Sequence, residues 1–140
     1  MHNGGAEQYP SLLHTVLDTT DVRALAEFYR QLLGLVYRPG DEAPVDDGDS
    51  ADWLVLTDCA GVRKLAFQQV DELRRSTWPR HDVPQQLHLD MTVPDRAALD
   101  RQRDRALALG AELRLDRTDS EEPLYALADP AGHTFCIFVA

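Results

Sequence analysis

His14-Thr-Val-Leu-Asp-Thr-Thr-Asp21 and His88-Leu-Asp-Met-Thr-Val-Pro-Asp95 are the two stretches whose likeness decides the fold. In both, the His precedes the closing Asp by seven positions. Each opens as a segment of alternating side chains, the pattern of a half-buried strand, and each Asp stands where a helix begins. Self-similarity of this kind marks a duplicated structural unit.

Working outward, the same order of signals follows each stretch. A first helix is predicted from Val22 to Leu33, with Leu25, Phe28, Tyr29, Leu32 and Leu33 on one face. A second is predicted from Arg96 to Leu109, with Leu99, Arg103, Ala106 and Leu107 in comparable places. Gly34 and Gly110 supply left-handed stops. Short strands then follow at 34–38 and 110–114. Each half closes with a hairpin: Trp53-Leu-Val-Leu56 into a strand over Arg63 to Val70, and Leu124-Tyr-Ala-Leu-Ala128 into one over His133 to Val139. Asp, Pro and Gly in the intervening turns provide the angles of a tight reversal. The chain thus reads as an α+β fold of two βαβββ modules in tandem. Module one spans 11–70, a linker 71–84 carries Pro79 and Pro84, and module two spans 85–140; residues 1–10 form a tail. A ferredoxin-like βαββαβ domain would leave the strands at 63–70 and 133–139 without a role.

Composition narrows the function classes. With 140 residues and 44% hydrophobic residues the chain suits one domain with a real core. No apolar run approaches the roughly 18 residues of a membrane span, and the start resembles no secretory signal. The net charge of −10 argues against nucleic acid, whose binding rests on Lys and Arg. Two cysteines without CxxC spacing, Cys59 and Cys136, lead us to expect a reducing, cytoplasmic setting and no disulfide. The acidic run Asp41, Glu42, Asp46, Asp47, Asp49 and Asp52 lacks EF-hand spacing and reads as a solvated, mobile loop. His81 and His133, near prolines or turns, are expected to be exposed.

Leu12-Leu-His-Thr-Val-Leu17, Phe28-Tyr-Arg-Gln-Leu-Leu-Gly-Leu35, His88-Leu-Asp-Met-Thr-Val93 and Asp129-Pro-Ala-Gly-His133 add a more specific signal. With the duplicated order, they resemble the vicinal oxygen chelate superfamily (glyoxalases, bleomycin resistance proteins and dioxygenases), in its glyoxalase-like branch. The resemblance implies that the two modules form an open, cup-shaped mixed sheet with the helices outside. It also implies a divalent metal (zinc, nickel, manganese or iron) held by one residue on the first and one on the fourth strand of each module, acting as a Lewis acid. It further implies a homodimer acting on a small molecule.

Alternation decides which side chains face the cup. Leu13, Thr15 and Leu17, and Leu87, Leu89, Met91 and Val93, are predicted to pack beneath the helices, leaving His14, Asp18, His88 and Asp90 facing inward. His14 and His88 take the first-strand ligand positions. Cys136 stands where the resembled metal enzymes have Glu, and Ala66 takes the remaining position, with Gln68 beside it. A metal set of His14, His88 and Cys136 suits zinc, but without the Glu pair we expect no tightly bound ion. Asp18 and Asp90 are the candidate proton-transfer groups, with His14 and His88 to position substrate. Trp53, Gln68, Trp78 and Phe138 are the candidate ligand contacts. A lyase or isomerase acting on a small oxygenated molecule is the first functional expectation. A non-catalytic binding protein of the bleomycin-resistance kind is the second, its acidity suiting a cationic drug. A ring-cleaving dioxygenase would need two His and a carboxylate around iron, and these strands lack the carboxylate.

Overall fold

A computed structural model describes residues 8–46 and 48–140. The first module runs β1 (Thr15–Thr19), α1 (Val22–Leu33), β2 (Val36–Tyr37), β3 (Trp53–Thr57) and β4 (Arg63–Gln69). The second runs β5 (His88–Val93), α2 (Arg96–Ala108), β6 (Glu112–Asp116), β7 (Leu124–Ala128) and β8 (Thr134–Val139). Each module makes one four-stranded mixed sheet, ordered β1-β4-β3-β2 and β5-β8-β7-β6. In both, the first and last strands pair in parallel while the hairpins pair antiparallel. Neither sheet closes, and the expected pair of βαβββ units stands.

The helices form as their ends dictate. Asp21 and Asp95 cap α1 and α2, accepting hydrogen bonds from the amides of Ala24 (3.1 Å) and Ala98 (2.8 Å). Gly34 ends α1 with a φ of 67°, a left-handed angle that an L side chain resists. The second helix stops one residue earlier than expected, at Ala108.

One core joins the modules. Leu17, Leu54, Leu56, Leu65 and Phe67 face α1, whose Leu25, Phe28 and Tyr29 are buried against them. Phe135, Ile137, Leu127 and Leu99 complete the same cluster from the second module. Phe28 and Tyr29 pack against Phe135, with ring centroids 5.8 and 6.2 Å away. Four expected core residues are instead exposed: Leu33, Leu107, Leu13 and Leu87. The first two sit in last helical turns that overhang their sheets, and the others precede β1 and β5, where no helix covers them.

The duplication extends to the hairpin turns. Asp58 Oδ1 accepts from the amides of Ala60 and Val62, and Asp129 Oδ1 from those of Ala131 and His133. Asp129 has a second task. It is fully buried, and Tyr29 Oη donates to its Oδ2 at 2.6 Å, bolting the turn of module two to the helix of module one. Desolvation holds the Asp129 carboxyl above the usual carboxylate range, against the opposing pull of the Tyr29 hydrogen bond.

The acidic run is solvated as expected, with Glu42, Asp46, Asp49 and Asp52 exposed, but it is tethered at Asp41 and Asp49. Arg23 on α1 pairs with Asp49 at 2.8 Å and donates to the Asp41 carbonyl, while Asp41 Oδ2 accepts from the Val55 amide at 2.9 Å. Asp47 lies outside the described residues.

Candidate functional site

Four of the expected residues, His14, Asp18, Trp53 and Gln68, lie on or just before strands of the first sheet. Register sets Asp18, Gln68 and Trp53 in one cross-strand row, and Val16, Ala66 and Val55 in the row behind it. His14 follows a row further back, just before β1. Its ring lies 6.1 Å from that of Trp53, so the indole reaches across the middle row. Ala66 and Val55 are accordingly fully buried although they face the concave side. Burial, then Arg63 and Arg38, hold the His14 pKa below the ordinary histidine value, which keeps the ring neutral at pH 7. His14 Nδ1 is buried without a hydrogen-bond partner.

The second sheet repeats the geometry with other chemistry. On β5, His88 and Asp90 are both exposed, their side chains 3.4 Å apart. Asp90 neighbours Cys136 across the strands, and Thr92 neighbours Phe138. Burial, then the charge of Asp90, pushes the Cys136 thiol up, which favours the protonated form that binds metal poorly. Trp78, in the linker, is half-buried and accepts a hydrogen bond on its carbonyl from Arg114 at 3.0 Å.

The donor set lacks the fourth-strand carboxylates that the resemblance implies: Ala66 offers no donor and Cys136 a thiol, beside His14 at the first sheet and His88 on the second. Among the described residues no group of three or more His, Cys, Asp and Glu side chains is arranged to hold an ion.

An open cavity lies elsewhere. A cavity of about 570 Å³ opens where β1 and β4 meet the inter-module segment and the turn before β8. Asp18 and Gln68 line it, whereas His14, His88, Trp53 and Cys136 do not. Its other walls were not anticipated: Leu73, Arg74, Asp82, Val83 and Gln85 from the segment joining the modules, and His133 from the turn. His133, expected to be exposed, is half-buried, and its Nε2–H donates to the Asp18 carbonyl at 2.7 Å. The segment is pinned by Arg75, which donates to the Pro130 carbonyl at 2.6 Å, and by Arg114, which donates to the carbonyls of Ser76 and Trp78 at 3.0 Å. Proline-rich and without periodicity, such a stretch carries no sequence signal of what it packs against.

The comparisons agree with this architecture. The glyoxalase-like domain model matches residues 14–138, and the chain belongs to that family, within the vicinal oxygen chelate superfamily. No curated protein sequence matches the chain. A glyoxalase/bleomycin resistance protein/dioxygenase family enzyme from Burkholderia phytofirmans is similar over 91% of this chain and 96% of its own, with 19% identity and a TM-score of 0.65. The fosfomycin resistance protein FosX from Listeria monocytogenes, solved with manganese and a dihydroxypropylphosphonic acid, is 18% identical over 94% of this chain and 93% of its own, with a TM-score of 0.66. A glyoxalase/bleomycin resistance protein from Albidiferax ferrireducens is 16% identical over 92% and 98%, with a TM-score of 0.59. At these identities the likeness carries the fold and not the reaction.

Proposed function

We propose that this protein binds a small organic molecule in the cavity between its modules and holds it without metal-assisted isomerisation. One observation carries the reading: of the four ligand positions that the family's metal enzymes use, Ala66 offers no donor and Cys136 a protonated thiol, while the built cavity lies beside Asp18 and Gln68. Abstracting a proton next to a carbonyl needs a base in reach and a group that stabilises the enolate. Without a carboxylate at position 66 or 136, His14 and His88 alone secure neither. The cavity has the size of a drug-like ligand site and mixes apolar walls with a few polar groups.

A lyase or isomerase working through Asp18 is the second reading, favoured by that carboxylate's place on the cavity wall. The working form is taken to be a cytoplasmic homodimer.

Thermal unfolding with bleomycin, fosfomycin and the glutathione–methylglyoxal adduct, each followed by NMR of the small molecule, tests both readings. A ligand at a hundredfold excess over its Kd stabilises by about 2.7 kcal/mol, a rise of several degrees for a domain this size. The expected result is such a rise with the ligand recovered unchanged, and no conversion of the adduct with or without added nickel or zinc. Robust metal-dependent conversion of the adduct would overturn the proposal.

A further inference from the structure

The two modules are not covered alike on their helix sides. Aligned on His14 and His88, Leu17 and Thr19 of β1 correspond to Met91 and Val93 of β5. The first pair is buried and the second only half-buried. The cause lies in the helices. The same alignment sets Phe28 and Tyr29 of α1 against Gln102 and Arg103 of α2, and α1 buries six residues where α2 buries three. Without an aromatic pair to fill the space, a groove of about 580 Å³ lies between the end of α1 and the face of α2. Leu32, Met91, Val93 and Ile137 give it apolar walls.

The formal charges of this groove are of one sign. Arg101 and Arg105, one turn apart on α2, line it, and no Asp or Glu does, in a chain that carries 24 of them. Arg105 donates to the carbonyls of Gln31 at 2.7 Å and Leu32 at 3.3 Å, which offsets the negative end of α1. It also donates to the side-chain oxygen of Gln102. Elsewhere on the helix, Arg96 pairs with Asp100 and Arg103 with Asp104. Arg101 is exposed and has no such partner among the described residues. A guanidinium beside apolar walls suits a carboxylate, which its planar fork meets with two N–H groups.

We infer that this groove binds small amphiphilic carboxylates, with Arg101 meeting the carboxylate and Met91, Val93 and Ile137 receiving the hydrocarbon. It shares no lining residue with the cavity beside Asp18, so it is a second site, independent of the reading of that cavity. Its volume is that of a small-molecule site. An acidic macromolecule would meet the chain's charge of −10 across its whole contact surface. A small monoanion meets mainly the charges within the roughly 8 Å screening length of the groove, and there the two arginines stand.

Three probes of one shape separate the outcomes: phenylbutyrate, phenylbutanol and phenylbutylamine, titrated into the full chain and followed by amide NMR spectra. Phenylbutyrate is expected to shift the resonances of Thr92, Ala98 and Gln102 and to bind about tenfold tighter than the alcohol, with the amine weakest. Arg101→Gln should weaken phenylbutyrate about tenfold and leave the alcohol unchanged, while Arg101→Lys, which keeps the charge, should lose less. Equal affinity for acid and alcohol, or unchanged phenylbutyrate binding in Arg101→Gln with a native spectrum, would overturn the ligand class. Shifts at Asp18, Gln68 and His133 in place of the groove would overturn the second site while supporting the cavity. Groove resonances that move on dilution without any probe would show a second copy of the chain covering the groove, and would overturn the inference as well.

Discussion

At the scale of single residues, two groups do opposite things with their protons. His14 is held neutral by burial and by Arg63 and Arg38, so its folded pKa lies below the ordinary 6.5. Its contribution to stability is therefore complete above pH 6.5 and is lost as the pH falls through the lowered value. Following the ring by NMR should show this titration, and Arg63→Ala should move it up toward the ordinary value. Asp129 is the reverse case, its pKa raised chiefly by desolvation. The stability it contributes is complete below the ordinary carboxylate value and is lost as the pH rises through the raised one. Relative to Asp129→Asn, the natural protein should gain stability as the pH is lowered through that window in urea unfolding. Tyr29→Phe leaves Asp129 Oδ2 without its hydroxyl donor and should cost about 1–3 kcal/mol at neutral pH. A loss under about 0.3 kcal/mol would show that the bolt between the modules carries no energy of its own.

At the scale of elements, the glycines that end α1 and precede β8 make a paired test. Gly34, with φ 67°, has open space where a Cβ would sit. Gly34→Ala should cost only the backbone term, about 1 kcal/mol, and leave ligand binding in the cavity unchanged. Gly132, with φ 96°, is different: its added Cβ would lie 3.0 Å from Arg75 Cβ and 3.1 Å from Arg75 Cα. Arg75 is itself held to Pro130, so the inter-module segment must move away from the turn. Gly132→Ala should therefore cost more than Gly34→Ala and also weaken ligands of the cavity, as read by urea unfolding and titration. Equal costs with equal binding would mean that the segment yields freely and builds no wall. The turns show why sequence reading reached only part of this. Asp58 and Asp129 close their hairpins in the same way, and local turn chemistry predicts both. That Asp129 also receives Tyr29 from the other module depends on packing between elements a hundred residues apart.

At the scale of the whole molecule, the prediction concerns assembly. Each sheet stays open, and the exposed apolar side chains include Leu12, Leu13, Val16 and Leu87 at or just before the first strands of the modules. A twofold pairing is the default way for a small soluble protein to cover such a surface. Light scattering at micromolar concentration should report a dimer. Leu13→Asp together with Leu87→Asp should shift it to monomer without unfolding it, because neither residue belongs to the core. A monomer in the natural protein would sink this expectation and leave the cavity, built within one chain, unaffected.

The sequence by itself determined the duplication and the element order. Those follow from local physics: alternation along a strand, an Asp at each helix start, a glycine at a left-handed stop. Once the strands are known, the register sets Ala66 beside Val16 and Cys136 beside Asp90. Only the tertiary structure decided what lines the cavity beside Asp18. His14 and His88 look equivalent along the chain, yet each stands on its own sheet, and neither lines the cavity. The cavity instead joins Asp18 and Gln68 to a proline-bearing segment and a turn histidine, groups with no shared periodicity. Their meeting depends on how the two sheets share one core, which is a property of long-range packing rather than of any window of sequence.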